Sequence, residues 1–422
     1  SFAGLRDAQG AFISRSTAEY PPCSLAETFA QAIAPCLSDS DGSFTEWELG
    51  LSSLPPSSPP AATAQAADGG GLPSTADWRR PPPGERDHLQ ALRHSWQKVI
   101  FDHNLHKQVT ASIIQRSSEP PLTEPQLGIL RHQLVEFLKA QGFQADLTVS
   151  PEQPFCLQIM NDLQNCTQDE DPSITSSLDQ GVQLGVLADI PASGIWPSAH
   201  PRGSEEGELV QCETNWKSAE DAPELVSSLL QEDLDEGFIQ RFGGTLQEAE
   251  QRWPLGVAVG KLGVAYAEGR DPRLTMDCTA CGLNPRFRAA EHVFNPGHRD
   301  VASVAEEPSS EEHIGFSLDV RRAHKRVKVI ENERGLLFFR HLSQLYFYAV
   351  CHFGGSFSAY WWARVGAVFM RLGHRLFFCK HSGWLYVDDF LFKFSKATAP
   401  IQATLLIILF MLLQMPISWK KC

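Results

Sequence analysis

Two adjacent carboxylates, Asp388 and Asp389, separate the apolar runs 384–387 and 390–394. Two such β-like runs joined by a short polar turn predict a β-hairpin with both acids at its tip. Like charges beside an apolar hairpin repel one another and lose hydration, so they must protonate, remain hydrated or bind a cation. The alternative is a turn in which aspartate only favours the backbone conformation.

A third carboxylate, Asp319, ends the apolar run 314–318. If this run pairs beside the hairpin at the usual strand spacing of about 4.8 Å, Asp319 and Asp388 meet at one point. Carboxylate oxygens are the ligands that Mg²⁺ prefers, and two such ions can activate an attacking hydroxyl and stabilise the leaving oxygen of an in-line phosphoryl transfer. The three acids therefore predict a site for two Mg²⁺ or Mn²⁺ ions.

Strands and helices must alternate around these acids. Short β-like runs bounded by Gly and Pro predict strands over 257–262, 273–277, 314–320 and 385–394. A helix is predicted over 358–378, with apolar residues on one face and three arginines on another, namely Arg364, Arg371 and Arg375. The apolar run 404–413 is shorter than the roughly 20 residues that span a bilayer, so it predicts a buried helix and no membrane anchor.

The first half of the 422-residue chain has a different composition. Residues 51–86 are rich in Pro, Gly and Ser and predict a linker, and 165–206 predict an acidic loop. Apolar residues spaced three and four apart predict helices over 25–37, 88–114, 124–141, 221–238 and 245–253. We therefore expect the N-terminal half to be helical and partly disordered.

Charge is divided unevenly along the chain. There are 36 basic and 50 acidic side chains overall, a formal charge of −14, yet residues 313–422 hold 15 basic and 5 acidic ones. A basic segment favours a polyanionic partner such as nucleic acid, although it can also be a solvated surface. The 10 cysteines are scattered, which argues against a small disulfide-stapled secreted protein and favours a reducing intracellular compartment, nuclear or cytoplasmic.

Several of these segments resemble the motifs of reverse transcriptases in order and spacing. Residues 386–389, Tyr-Val-Asp-Asp, resemble the Y-x-D-D box, and 316–320 with Ala323 resemble the first palm motif. Phe353-Gly354 with Ser358-Ala359 is similar to the F-G-x-x-x-[SN]-A segment of retrotransposon polymerases. Residues 415–421 resemble the lysine-containing motif that follows the hairpin. The fingers pattern is similar to residues 230–239, Lys261, 273–277 and Asn284. Phe353 stands where retroviral enzymes carry Gln, which favours a eukaryotic retrotransposon polymerase.

This resemblance covers about 225–422 and implies an α+β right-hand polymerase fold. Fingers would span 205–312, and a palm with an antiparallel sheet and packed helices would span 313–422. The thumb is expected to be missing, because the chain ends at Cys422 directly after the lysine motif. Before the fingers we expect an unassigned segment over 1–50, the linker 51–86, and a helical region with an acidic loop over 87–204.

The implied activity is RNA-directed DNA polymerisation. Deoxynucleoside triphosphates would be added to the 3′-hydroxyl of a DNA primer on an RNA template, with no membrane involved. The alternative is a truncated, inactive retroelement remnant that at most binds nucleic acid.

The resemblance also implies roles for particular residues. Asp319 and Asp388 would bind both metal ions, with Asp389 in support and the Val320 carbonyl as a further ligand. The residues implied in nucleotide binding are Lys261, Arg273, Val320, His324, Gly354, Tyr386 and Lys420. Those implied at the nucleic-acid backbone are Arg364, Arg371 and Arg375. Gly354 would let backbone approach the templating base pair without a Cβ.

His324 departs from the family pattern. Five residues after the first-motif aspartate, the family usually has an aromatic gate that excludes a ribose 2′-hydroxyl. Imidazole has bulk, but it can also donate a hydrogen bond to the hydroxyl that it should exclude. We therefore expect weaker exclusion of ribonucleotides than with an aromatic gate.

A second arrangement of residues has a spacing close to that of a zinc finger. It consists of Cys278, Cys281, His292 and His298. The alternative is that the two cysteines lie in the core of the fingers and bind no metal. Metal content of the purified protein distinguishes the two.

Overall fold

The computed structural model describes residues 86–150, 154–199, 208–297, 300–302, 312–377, 379 and 381–422. The predicted helix at 25–37 and all but the last residue of the predicted linker lie outside the described residues.

The first half of the described chain is helical. Its helices are α1 (Gln90–Asp102), α2 (Leu105–Ile114), α3 (Glu124–Ala140), α4 (Leu157–Cys166) and α5 (Ile174–Gln180). The pattern at 88–114 is divided into two helices at Asn104, which adopts a left-handed conformation (φ +52°). α3 begins at a capping box, in which the Thr123 N–H donates to the Gln126 side chain at 2.8 Å. The segment 165–206, predicted as a loop, contains α5.

The middle of the chain builds a five-stranded sheet in the order β1-β6-β5-β2-β3. Its strands are β1 (Ile239–Phe242), β2 (Val259–Ala267), β3 (Arg270–Asp277), β5 (Phe338–His341) and β6 (Gln344–Tyr348). Neighbouring strands are antiparallel except β2 and β5, which are parallel. β5 and β6 thus leave the segment predicted as the palm and join a sheet built from the segment predicted as the fingers.

In the described part of the chain, further helices accompany this sheet. They are α6 (Lys217–Glu220), α7 (Pro223–Asp235), α8 (Leu246–Arg252) and α9 (Leu283–Arg286). α7 starts with Pro223, whose missing N–H costs nothing at the first helical position. α8 begins at a capping box formed by Thr245 and Glu248, as its Thr-x-x-Glu sequence favours.

A second, three-stranded antiparallel sheet has the order β4-β8-β7. It contains β4 (His313–Asp319), β7 (Ser382–Tyr386) and β8 (Asp389–Ser395). β7 and β8 form the predicted hairpin, and β4 pairs with β8 along its whole length. This sheet carries all three acids.

Two long helices complete the fold: α10 (Ser356–Phe377) and α11 (Ala399–Leu412). α11 packs against α1, α2, α3, α10 and β8, so its apolar side chains are buried on all sides and the predicted buried helix is confirmed. The core therefore runs without a break from the N-terminal helices to the three-stranded sheet. Within the described ranges, no helix has the length and apolar character needed to cross a bilayer.

Candidate active site

The acids meet at one end of the three-stranded sheet. In the antiparallel register of β4 and β8, Asp319 lies directly opposite Asp389. Asp388 lies in the turn between β7 and β8, and its carbonyl accepts the Val320 N–H at 3.1 Å. The structure thus brings together three acids that belong to two separate stretches of the sequence.

The turn that contains Asp388 is fixed by a hydrogen bond from a buried side chain of α10. Val387 adopts a left-handed conformation (φ +57°), which β-branched residues rarely do. The buried Trp362 of α10 donates its indole N–H to the Val387 carbonyl at 2.5 Å. Tyr386 ends β7 opposite Asp389 and is half-buried. Packing of α10 on the hairpin therefore fixes the backbone on which Asp388 is mounted.

Asp319 and Asp388 affect one another electrostatically. Burial raises the pKa of the Asp388 carboxyl, the negative charge of Asp319 raises it further, and the positive charges of Lys421 and Arg273 oppose both effects. Asp319 is buried, and its Oδ2 accepts a hydrogen bond from Lys421 Nζ at 2.9 Å. The site therefore concentrates negative charge and stabilises added positive charge.

The donor set at this end of the sheet suits a hard divalent cation. All three side chains offer carboxylate oxygens, the ligand type of Mg²⁺ and Mn²⁺. In the described part of the chain, however, no group of three or more His, Cys, Asp and Glu side chains is arranged as a metal site. The Lys421 ammonium forms a hydrogen bond with one Asp319 oxygen, and its positive charge disfavours a metal ion at that oxygen.

Lys421, and not the predicted Lys420, lies beside the acids. The segment after α11 is attached to the end of β4, because the Ser418 N–H donates to the Asp319 carbonyl and the Arg321 N–H to the Pro416 carbonyl, both at 2.8 Å. In the 3₁₀ turn Trp419–Lys421, Lys420 is exposed whereas Lys421 reaches Asp319. The position of each lysine in this turn determines which of the two side chains points towards Asp319. The sequence contains no signal for that choice.

The two predicted triphosphate contacts lie apart on one sheet. Arg273 of β3 is exposed, lies within 5.9 Å of the Phe353 ring and acts electrostatically on Asp388. Lys261 of β2 lies 5.0 Å from the Trp216 ring and opposite Asp277 in the strand register, whereas Arg273 lies opposite Ala265. Four residues of strand separate these positions by roughly 13 Å. Of the two side chains, Arg273 is the one whose charge acts on Asp388.

Gly354 lies against the backbone of β3. Its φ is +112°, and a Cβ built on it would lie 1.9 Å from the Met276 carbonyl oxygen. The Met276 N–H donates to the Phe353 carbonyl at 3.1 Å, and the Asn284 side chain donates to the Gly354 carbonyl at 2.8 Å. In the described structure, the close approach that requires glycine at this position is to the chain's own backbone. The approach to a templating base pair stays a prediction.

Replacing Gly354 by Ala is expected to destabilise the protein by about 3 kcal/mol or more, because backbone strain and overpacking each cost about 1–3 kcal/mol. The free energy of unfolding from urea denaturation measures this. Gly128→Ala is the matched control, because Gly128 lies in α3 with nothing within 4 Å of its added Cβ. That variant should be as stable as the parent or more so. Equal stability of Gly354→Ala and the parent contradicts the close approach.

His324 lies in a 3₁₀ turn, Ala323–Arg326, and is buried against Phe353 with ring centroids 5.2 Å apart. Burial lowers the pKa of its imidazole to about 4, so the ring is neutral. Among the described residues neither ring nitrogen has a hydrogen-bond partner. A buried nitrogen without a partner costs about 1–3 kcal/mol. Because both nitrogens are buried, a hydroxyl on a bound molecule would reach them only after the ring moves.

The basic segment that follows Asp319 is paired with the acidic end of α7 and the residue after it. Its ion pairs are Arg321–Glu236 (3.2 Å), Arg322–Glu232 (2.5 Å), Lys325–Asp233 (2.6 Å) and Arg326–Glu236 (3.2 Å). Lys325 and Asp233 are both buried. Much of the basic charge that suggested a polyanionic partner is therefore neutralised within the protein. Sequence reasoning missed this pairing, although acids at 232, 233 and 236 share one helical surface.

Arg364 and Arg371 of α10 do not face a nucleic-acid backbone, and this prediction is wrong. Arg364 forms two hydrogen bonds with Asp171, at 2.7 and 2.9 Å, and both side chains are buried. Arg371 pairs in the same way with Asp169, at 2.7 and 2.8 Å. Arg375 is largely buried too, 3.8 Å from the same Asp169. The arginine face of α10 therefore attaches the segment that contains Asp169 and Asp171 to the core.

The zinc-finger spacing does not correspond to a metal cluster in the described residues. Cys278 and Cys281 are buried free thiols, and the neighbour of Cys278 is His352, whose Nε2 lies 3.8 Å from its Sγ. His292 is exposed and in ring contact with Phe294. His298 lies outside the described residues.

No protein-family model and no curated protein matches the sequence. Solved structures of similar shape include a foamy viral protease-reverse transcriptase in complex with double-stranded DNA, at 9% identity and a TM-score of 0.38 over 68% of this chain and 43% of that one. Another is the prototype foamy virus protease-reverse transcriptase, at 10% identity and a TM-score of 0.33 over 50% of this chain and 25% of that one. The chain spans less than half the length of either protein.

Proposed function

We propose that this chain is a reverse transcriptase-like nucleotidyltransferase that adds deoxynucleotides to a primer 3′-hydroxyl on an RNA template. One observation carries the proposal: the register of β4 and β8 places Asp319 opposite Asp389 and next to Asp388. The first-motif aspartate and the Y-x-D-D pair thereby share one end of one sheet. Three acids in one partly buried place, two of which interact electrostatically, are suited to holding divalent cations.

In this proposal each residue has a limited task. Asp319 and Asp388 hold two divalent ions, which supply charge stabilisation at the transferred phosphoryl group when bound. Arg273 is exposed near the Phe353 ring and acts electrostatically on Asp388, and in this proposal its planar guanidinium binds triphosphate oxygens. Trp362 and α10 hold the Asp388 turn in a fixed position. The protein's contribution is positioning and charge neutralisation, without covalent chemistry of its own.

Primer extension on an RNA template with Mg²⁺ tests the proposal. The full chain and Asp388→Asn are compared at equal concentration, each with and without a chelator. We expect extension by the parent with Mg²⁺ and none by the other three reactions. No difference between the parent and Asp388→Asn contradicts the proposal and supports the inactive remnant, in which case a filter-binding measurement with the same template reports any nucleic-acid affinity.

His324→Phe is expected to improve the exclusion of ribonucleotides. The His324 imidazole has no hydrogen-bond partner among the described residues. An imidazole has a nitrogen that can form a hydrogen bond with a 2′-hydroxyl, whereas a phenyl ring has none. One neutral hydrogen bond corresponds to a selectivity change of about three- to tenfold. The ratio of ribonucleotide to deoxynucleotide incorporation, from single-nucleotide primer extension, measures it.

His132→Phe is the control for that experiment, because His132 is exposed on α3, far along the chain from the acids. The control should keep the parent ratio. Equal selectivity in the parent and His324→Phe removes the role of His324.

A further inference from the structure

Lys421 contacts the acid cluster, which consists of Asp319, Asp388 and Asp389. The proposed function does not use this contact. The Lys421 Nζ lies 2.9 Å from Asp319 Oδ2, as an ion pair and a hydrogen bond. The two partners differ in burial, because the Lys421 side chain is 59% exposed and that of Asp319 is 11% exposed. The ammonium therefore approaches a nearly buried carboxylate from the solvent side.

The backbone near Lys421 is fixed independently of this ion pair. Ile417 forms an antiparallel bridge with Val320, and the Ser418 N–H donates to the Asp319 carbonyl. The Lys421 N–H then donates to the Ser418 carbonyl at 2.9 Å. The side chain thus starts from an anchored position beside the acids, and it can leave Asp319 for solvent by rotation about its own bonds.

The charge of Lys421 acts on more than one acid. It contacts Asp319 directly and also opposes the effect of burial on Asp388. A divalent ion bound between these two carboxylates would lie close to the Lys421 ammonium. The two cations repel one another and compete for the lone pairs of the Asp319 carboxylate, so each lowers the affinity of the other.

We infer that Lys421 sets the metal affinity of the acid cluster, by occupying Asp319 when no metal is bound and by leaving it when one binds. This inference rests on the proposed function, since it takes Asp319 and Asp388 as metal ligands.

Mn²⁺ binding to the full chain tests the inference without any measurement of activity. Free Mn²⁺ is followed by its electron paramagnetic resonance signal during titration of the parent, Lys421→Met and Lys420→Met. Lys421→Met is expected to bind Mn²⁺ about three- to fivefold more tightly, as the loss of a part-exposed ion pair predicts. Lys420→Met removes the same charge from the adjacent, exposed position and should remain within twofold of the parent.

Each result decides the inference. Equal tightening by both substitutions means that only net charge matters, and it overturns the inference. No tightening by Lys421→Met, or no Mn²⁺ bound by any of the three proteins, overturns it as well. A selective shift in a protein that fails to extend a primer upholds the inference about Lys421 while contradicting the proposed polymerase activity.

Discussion

Replacing Asp319 by Asn is expected to slow primer extension at least about a thousandfold. The substitution keeps the size of the side chain and removes a negative charge from the acid cluster. Metal-assisted charge stabilisation of a phosphoryl group is worth several kcal/mol, and each 1.4 kcal/mol corresponds to about tenfold in rate. Single-turnover extension of a primed RNA template by one nucleotide measures the rate of the chemical step.

Two observations keep this experiment interpretable. The Asp319–Lys421 pair is exposed on the lysine side, so its loss should cost no more than about 1 kcal/mol of stability, and the variant should fold. Asp179→Asn makes the same change at an exposed position on α5 and should keep the parent rate. An Asp319→Asn rate within fivefold of the parent would exclude this carboxylate from the reaction.

The elements that carry the acids could be predicted because local rules determine them. Alternating apolar runs predict the β7–β8 hairpin, and the apolar run before Asp319 predicts a strand, whereas the pairing of that strand with the hairpin entered the prediction only as a condition. The buried helix α11 follows from an apolar run that has no polar face. In each case the signal lies within a few neighbouring residues.

Contacts between distant segments could not be predicted in the same way. Arg364 and Asp171 are separated by 193 positions, and an arginine face on a helix has the same sequence pattern whether it meets solvent, phosphate or a buried carboxylate. The close approach of Gly354 to the backbone of β3 could not be predicted for the same reason, because the two segments are distant in the sequence. β5 and β6 joined the larger sheet through a parallel pairing with β2, for which no adjacent turn gives a signal.

The buried pair between Arg364 and Asp171 leads to the largest expected effect on stability. Its side chains are 2% and 0% exposed, and Ser173 adds a third contact to the guanidinium at 3.0 Å. Arg364→Met removes the guanidinium and leaves a buried carboxylate without its counterion. Such a change costs about 3–5 kcal/mol, because the remaining charge has lost both its partner and its water.

The free energy of unfolding from urea denaturation measures this loss, with Arg131→Met as the control. Arg131 makes an ion pair with Glu124 at 3.5 Å, and Glu124 is 78% exposed, so its loss should cost no more than about 1 kcal/mol. The double variant Arg364→Met/Asp171→Leu lacks both the guanidinium and the buried carboxylate. We expect its free energy of unfolding to be closer to that of the parent than that of Arg364→Met. A stable Arg364→Met variant that binds nucleic acid more weakly would contradict this role. It would instead support the prediction from the helix pattern that Arg364 contacts the nucleic-acid backbone. A residue that only stabilises the core cannot change the affinity for nucleic acid while the fold stays intact.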